Sequence, residues 1–196
     1  MIRNLWRTSR PLTALGLVML VVLVPFAVGL FVDPRLITGA PAWLKPAKFA
    51  VSTAIYSLTL AWVFRALPAW PRMRAIVGWT SALVFAIEVA IIAAQAWRGT
   101  TSHFNVSTLL DGVLFGAMGA LILAQTIASA AVAVALWRER AFADQAMGWA
   151  MRIGMTLTIV GAATGGMMTR PTAAQIEKAN NAIKTGWPTV VGATVK

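Results

Sequence analysis

The sequence predicts an all-α fold, an integral membrane bundle of five transmembrane helices. Hydrophobic residues make up 59% of the chain and charged residues only 12%, whereas soluble domains are about 45–50% apolar and about 25% charged. The apolar residues lie in long uncharged runs such as 12–31 and 112–137. Since about 20 helical residues cross roughly 30 Å of hydrocarbon, such runs are typical of membrane spans.

Tryptophan placement supports the same fold. Indole rings favour the headgroup layer because they are apolar rings with one polar N–H group. Six of the nine Trp residues fall at or near the ends of the apolar runs: Trp6, Trp43, Trp70, Trp97, Trp137 and Trp149. We therefore expect these side chains to anchor the helices at the two membrane surfaces.

The first span is predicted at about 12–32, after a start that carries Arg3, Arg7 and Arg10. A signal peptide has an apolar core of about 7–15 residues and an A-x-A-like cleavage site. This run is longer and ends in an Asp-Pro-Arg sequence. We therefore interpret it as a retained helix.

Prolines separate the next two spans. Segment 33–46 contains three prolines and one glycine, which predicts an irregular loop. The second span follows at about 47–67. Pro68 and Pro71 then interrupt the chain before the third span, at about 75–97.

Polar connections separate the last two spans. The residues 98–105 lead to a fourth span at about 108–137. A charged turn over 138–145 leads to the fifth span, at about 146–168. The transmembrane domain is therefore predicted to occupy 1–168.

The rest of the chain, 169–196, is predicted to form an external tail. Thr172 and Gln175 have the spacing of a capping box, and Gly186 supplies a stop. We expect a short surface helix between them, at about 173–185.

The basic residues predict the orientation, because cytoplasmic loops carry an excess of Lys and Arg. The short segments on the same side of the membrane as the N-terminus hold eight basic residues, and the loops on the opposite side hold four. The eight are Arg3, Arg7, Arg10, Arg65, Arg72, Arg74, Arg138 and Arg140. The N-terminus is thus predicted to be cytoplasmic, and the bilayer is the expected partner. The net charge of +11 is spread between the spans, so we expect no nucleic-acid partner.

Several classes of site are excluded by composition. The chain has no Cys and only one His, His103, so thiolate sites, disulfides and multi-histidine metal sites within one chain are excluded. No metal ligand and no catalytic residue is predicted, because none of the common catalytic motifs is present. Enzymatic activity is therefore not excluded, although the lack of a catalytic motif favours a protein that is not an enzyme. The cofactor is unknown, and a pigment or haem between chains stays an open alternative.

Glu88 is the most informative polar residue. It lies nine positions before Trp97, roughly 13 Å along the helix at about 1.5 Å per residue. A carboxylate at that depth is costly unless it is paired, solvated or protonated. Ser81 and Gln95 share its helix face, which should point into the bundle. We predict that Tyr56 donates a hydrogen bond to Glu88, directly or through one water.

Further polar residues project toward the same side of the membrane as Glu88 and predict an outward-facing cleft. Asp111 is expected to cap its helix or to pair with Lys45, Lys48 or Arg98. The residues of the candidate ligand-binding cleft are Lys45, Lys48, Tyr56, Glu88, Gln95, Arg98, His103, Asn105, Asp111 and Arg170. A structural role stays open for each of them: a loop hydrogen bond for His103, Ser102 and Asn105, and an ion pair or polar clasp for Glu88.

Two helices carry small residues at G-x-x-x-G spacing. Gly112 and Gly116 form the motif on the fourth span, and Gly161 and Gly165 repeat it on the fifth. Small residues allow helix backbones to approach closely in lipid. We expect these glycines to pack helices within the bundle, with an oligomer contact as the alternative.

The sequence W-L-K-P-A-K-F at 43–49 and the sequence R-G-T-T-S-H-F-N at 98–105, together with Gln95 and Asp111, carry a resemblance. Over roughly 33–125 the chain resembles a family of uncharacterised bacterial multi-pass inner-membrane proteins. The resemblance implies a bacterial inner membrane and no activity. In that setting, the tail that the count of basic residues places outside would be periplasmic. Members of that family run longer, so the chain is expected to be a short member or to lack its C-terminal end.

Three functions from different classes are compatible with these features. The first is a non-catalytic accessory or scaffold subunit of a bacterial membrane complex, with other membrane subunits or a homo-oligomer as partners. The second is a small transporter or receptor that binds a polar or anionic small molecule around Glu88. The third is a membrane enzyme that acts on a lipid or quinone headgroup, with Glu88 and His103 as an acid–base pair.

Overall fold

The computed structural model describes residues 2–140 and 142–167. The predicted tail lies outside the described residues. The same holds for Arg170 of the candidate cleft and for the surface helix predicted at about 173–185.

The structure is a bundle of antiparallel helices joined by short connections, which confirms the predicted fold class. Within residues 2–140 and 142–167, five helices are long and apolar enough to cross a membrane. They lie within about four residues of the predicted spans. The elements are α1 (Ile2–Thr8), α2 (Arg10–Val32), β1 (Leu36–Ile37), β2 (Ala40–Pro41), α3 (Leu44–Val63), a 3-10 turn (Phe64–Ala66), α4 (Pro71–Trp97), α5 (Leu109–Arg138) and α6 (Gln145–Met167).

The segment predicted as an irregular loop is instead a small β-hairpin, followed by an earlier start of α3. Leu36 pairs with Pro41 across an antiparallel ladder. The turn residues Thr38 and Gly39 have φ angles of 52° and 78°, as two-residue hairpin turns require. Pro46 did not delay the helix, because a proline in the first helical turn lacks only an N–H that has no partner there.

Prolines and a threonine also define the next helix starts. α4 begins at Pro71, since proline at the first helical position has a suitable φ angle. The α5 start is capped by Thr108, whose side chain accepts a hydrogen bond from the Asp111 backbone N–H. The cap is therefore Thr108, one of the polar residues before the helix.

Helices α2 and α3 approach most closely where α2 has glycines. An added Cβ on Gly16 would lie 2.7 Å from Leu58 Cγ, and one on Gly29 would lie 2.6 Å from Trp43 Cγ. The Trp43 ring also stacks on Phe26 at 5.7 Å. These contacts make the α2–α3 pair the tightest part of the bundle.

The G-x-x-x-G glycines do not have the packing role that was predicted for them. An added Cβ would meet no described atom within 4 Å at Gly112, Gly116, Gly161 or Gly165. These faces of α5 and α6 are directed away from the described part of the bundle. The expectation that they pack helices within it is wrong.

Two apolar clusters fill the bundle, one toward each end. The first surrounds Phe64, Leu67 and Leu136. The second joins α2, α3 and α4 around Met19, Ala50 and Val89. We call the end nearest the second cluster the His103 end, because it holds the hairpin and the connection 98–108. The opposite end, which holds α1 and the turn between α5 and α6, is the arginine end.

Arg152 shows how a cation on a spanning helix reaches the arginine end. Its guanidinium donates to the carbonyl oxygens of Leu136 and Glu139 at 3.0 and 2.6 Å. It also lies 5.2 Å from the Trp149 ring centroid and 4.8 Å from that of Phe142. The guanidinium N–H groups therefore supply hydrogen-bond donors to carbonyl oxygens at the C-terminal end of α5, as expected for a cation at that end of a helix.

Candidate functional site

Lys45 and His103 meet at the centre of the His103 end. The Lys45 Nζ lies 3.0 Å from the His103 Nδ1. A cavity of about 270 Å³ opens beside them, and Lys45, Lys48 and Ser102 contribute to its wall. Lys48 is exposed, whereas Lys45 is half-buried. The first turn of α3 thus brings two cations to one cavity.

The hydrogen bonds fix the protonation state of His103. An ammonium group only donates hydrogen bonds, so the Nδ1 accepts from Lys45 and the ring proton lies on Nε2. The Ser102 Oγ also lies 3.1 Å from Nδ1. Burial and the charge of Lys45 lower the pKa of His103 to about 4. The imidazole is therefore neutral at physiological pH.

The backbone and two aromatic rings hold the imidazole beside Lys45. Phe104, directly after His103, has a φ angle of 57°, a conformation that is costly for a bulky residue. The Phe49 and Phe115 rings lie 6.1 and 6.4 Å from the imidazole. The strained turn and the two rings place His103 where Lys45 can reach it.

Glu88 lies deep in the bundle below this pair. It is 1% exposed, and neither of its carboxyl oxygens has a hydrogen-bond partner among the residues that the structure describes. Lys45 is the charged group that attracts it electrostatically, although the two form no contact of ion-pair length. Ser81 and Gln95 are equally buried, which confirms that this face of α4 points into the bundle.

A second polar cluster joins α4 to α5 at the same end. Asp111 Oδ1 accepts from Arg98 at 2.7 Å and from Gln95 at 2.9 Å. Asp111 Oδ2 accepts from the Thr108 hydroxyl at 2.7 Å. The predicted pairing of Asp111 with Arg98 is confirmed. Because Arg98, Gln95 and Thr108 all donate to the Asp111 carboxylate, the cluster joins the end of α4 to the start of α5.

The hairpin is held by a third cluster, which the sequence reasoning missed. Arg35 and Asp33 form an ion pair at 2.6 Å, and the Trp43 indole N–H donates to Asp33 at 2.8 Å. Arg35 also donates to the Trp97 carbonyl at the end of α4. Its hydrogen bonds lower the pKa of Asp33 well below the usual range. The Asp-Pro-Arg sequence was the available signal.

Asn105 has a structural role in the connection to α5. Its amide donates to the Thr101 carbonyl at 3.0 Å and to the Thr100 hydroxyl at 2.8 Å. Its Oδ1 accepts from the backbone N–H of Ser107. The alternative that Asn105 bonds its own loop is therefore confirmed.

Tyr56 belongs to a different cluster from Glu88. Its hydroxyl lies 3.0 Å from the Ser129 Oγ and accepts from the Gln125 amide at 3.0 Å. The predicted direct hydrogen bond from Tyr56 to Glu88 is wrong, since the Glu88 oxygens have no partner. The polar residues that α3 buries completely are Thr53 and Ser57.

The candidate residues thus separate into distinct groups. Lys45 and Lys48 line the cavity, His103 contacts Lys45, and Glu88 interacts with Lys45 electrostatically. Gln95, Arg98 and Asp111 form the α4–α5 cluster, while Asn105 and Tyr56 act elsewhere. Ser129 was missed, although its position four residues after Gln125 puts both on one helix face. Ser102 bonds within its own loop, as expected, and its partner there is the His103 side chain.

The cavity group combines a fixed charge with a group that can change its charge. Two ammonium groups at an opening attract anions, and the neutral imidazole holds one of them in place. Glu88 opposes the charge of Lys45 when it is ionised and does not when it is protonated. The arrangement can therefore bind an anion and alter that binding with one proton.

The state of His103 is directly measurable, because it is the only imidazole in the chain. In protein labelled with ¹⁵N-histidine, we expect the Nε2–H tautomer and a titration midpoint near pH 4. Since the unfolded chain takes up this proton near pH 6.5, stability should fall as pH is lowered from about 6.5 to about 4. Lys45→Met should raise the midpoint. A midpoint near 6.5 in the unaltered protein would contradict the described contact.

Comparison of the chain with models of protein families, with curated proteins and with solved structures finds no match. The side chains themselves therefore indicate the function. The informative features are the cavity with its two lysines, the neutral His103 and the carboxyl group of Glu88.

Proposed function

We propose that the protein is a small membrane transporter or receptor that binds an anionic small molecule in the cavity at the His103 end. The observation that carries this proposal is the position of Lys45, which contacts neutral His103 at the cavity wall and faces the charge of Glu88. A cation with no ion-pair partner beside an opening is a binding group for an anion.

The size of the cavity limits the ligand. At about 270 Å³, it lies just below the lower end of the range for small-molecule sites, about 300–1,000 Å³. Its wall is mostly apolar, with polar groups at Lys45, Lys48 and the hydroxyls of Thr101 and Ser102. A compact carboxylate or phosphate-sized anion fits this combination of volume and charge.

Glu88 gives the site a proton-dependent component in this proposal. An ionised Glu88 attracts the Lys45 ammonium and reduces the positive charge available to a ligand. A protonated Glu88 leaves that charge to the anion. His103 stays neutral over most of the ordinary pH range, so it does not compensate. Anion affinity should therefore rise as pH falls.

Binding of inorganic phosphate, acetate and succinate to the full chain in lipid nanodiscs tests this function. For the anion that binds, we expect Lys45→Met to raise the Kd about tenfold, the equivalent of about 1.4 kcal/mol. Glu88→Gln should remove the increase in affinity that accompanies a fall in pH. Isothermal titration calorimetry supplies both measurements.

The matched control is Arg72→Met, which removes one positive charge at the arginine end. Arg72 is exposed in the first turn of α4, far from the cavity. Its Kd should equal that of the unaltered protein, which separates a local contact from the effect of net charge. Equal affinities in Lys45→Met and Arg72→Met would refute the proposed site.

A second candidate function is the accessory or scaffold subunit of a bacterial membrane complex. The outward glycine faces of α5 and α6 favour it, because each leaves a small-residue surface that a further helix can pack against. The enzyme hypothesis has no comparable support, since His103 Nδ1 is engaged by Lys45 and the Glu88 oxygens have no hydrogen-bond partner.

Native mass spectrometry of detergent extracts from the source membrane tests the subunit function. We expect a complex with a second membrane protein or a second copy, and we expect it to be lost in the Gly112→Leu/Gly116→Leu variant. Ala117→Leu enlarges an exposed small residue on another face of the same helix and should retain the complex. A chain that migrates alone before any substitution argues against this function.

We further propose a bacterial inner-membrane location, with the arginine end cytoplasmic and the C-terminal segment periplasmic. The concentration of arginines at one end supports it. Because the chain has no cysteine, single cysteines report orientation directly. In intact spheroplasts, an impermeant maleimide should label Ser107→Cys and not Ala143→Cys. The reverse pattern would invert the orientation and place the anion cavity inside.

A further inference from the structure

A lateral opening between α3 and α6 leads from the lipid-facing side to Tyr56. Helix α6 packs chiefly against α5, so a groove of about 570 Å³ remains between α6 and α3. A smaller chamber of about 180 Å³ adjoins it on the other side of Tyr56. Tyr56 and Thr158 belong to both walls, so the two spaces are neighbours.

The chamber wall contains a buried polar atom with no partner. Gln125 is 5% exposed, and its side-chain Nε2 donates to Tyr56 and Ser129 at 3.0 and 3.3 Å. Within the described part of the chain, its Oε1 has no hydrogen-bond partner. Leaving an amide oxygen unpaired in an apolar interior is costly. If the amide were rotated by half a turn, one of its two polar atoms would still lack a partner.

The two hydroxyl groups beside Gln125 provide a complementary donor. Tyr56 and Ser129 carry one hydroxyl proton each, and the hydrogen bond between them uses one of the two. The second proton has no acceptor among the contacts of these residues. The chamber therefore offers one acceptor, Gln125 Oε1, and one donor, a hydroxyl of Tyr56 or Ser129.

A hydroxyl group satisfies both requirements at once, because it donates one hydrogen bond and accepts others. The walls favour an aromatic carrier for that hydroxyl. The Phe85 and Tyr56 rings meet edge to face at 5.1 Å, an arrangement that can accept a further ring. A space of about 150 Å³ holds a benzene ring, and the chamber is larger than that.

The groove outside suits an apolar chain. Met147, Met151 and Met155 line one side of it, and methionine side chains adapt to flexible apolar ligands. We propose that the chamber and groove together bind a lipophilic phenol, whose hydroxyl pairs with Gln125 and Tyr56 and whose alkyl chain lies between α3 and α6. This site is separate from the anion cavity and does not depend on its function.

A matched pair of probes tests the proposal on the full chain in nanodiscs. para-Hexylphenol has the required hydroxyl, and para-hexylanisole replaces the hydroxyl proton with a methyl group. We expect the phenol to bind about tenfold more tightly than the anisole, by native mass spectrometry of the complexes. Gln125→Met keeps the side-chain length without the amide, so it should abolish this preference while anisole binding remains.

Two further variants and a folding measurement make the result specific. Because the two probes partition differently into lipid, the decisive quantity is the ratio of phenol to anisole affinity in each variant relative to the unaltered protein. Tyr56→Phe should also reduce the ratio, whereas Lys45→Met should leave it unchanged. Thermal unfolding midpoints verify that each variant is folded.

The proposal is overturned by any of three results. Equal affinity for phenol and anisole in the unaltered protein means that only apolar chain binding occurs. A preference that persists in folded Gln125→Met places the hydroxyl elsewhere. Absence of binding by either probe means that the groove holds only bilayer lipid.

Discussion

Polar groups inside this bundle must find partners on neighbouring helices, because lipid supplies none and each unpaired group costs free energy. The structure satisfies this requirement mainly at helix ends. Asp111 accepts hydrogen bonds from Arg98, Gln95 and Thr108. Asp33 accepts hydrogen bonds from Arg35 and Trp43. These two carboxylates fix the relative positions of α2, α4 and α5 at the His103 end, where the connections are longest.

Glu88 and Gln125 differ from these residues, because each has a buried oxygen atom with no hydrogen-bond partner in the described part of the chain. Glu88 and Gln125 lie well inside their helices, far from the caps and loops that satisfy other polar atoms. Neither position helps the packing, since an apolar residue of similar size would fill the space without the cost of an unpaired group. Gln125 lines the chamber beside Tyr56, and Glu88 interacts electrostatically with Lys45, which lines the anion cavity. The two proposed sites would give each of these costly burials a role in binding.

Sequence reasoning predicted the helices well and their contacts only in part. Apolar runs and Trp residues located all five spans, because crossing a bilayer sets their length. The face of Glu88 was also correct, since a seven-residue spacing keeps Ser81 and Gln95 beside it. The partner of Tyr56 was missed, because similar depth on two helices does not determine their rotation about their axes. The glycine faces failed for the same reason: G-x-x-x-G marks a surface for close packing and not the helix that occupies it.

The two proposed sites differ in the physical force that selects a ligand. Lys45 lies in the first turn of α3, where its side chain contacts the connection 98–108. Its charge acts over several ångströms and attracts any small anion that enters the cavity. Tyr56, Gln125 and Ser129 lie among apolar side chains, where an unpaired hydrogen-bonding group discriminates more sharply than a charge near water. A substituent as small as one methyl group on a hydroxyl therefore matters at Gln125, whereas overall charge matters at Lys45. Because α3 contributes Lys45 at its start and Tyr56 eleven residues closer to Val63, both proposed sites depend on that one helix.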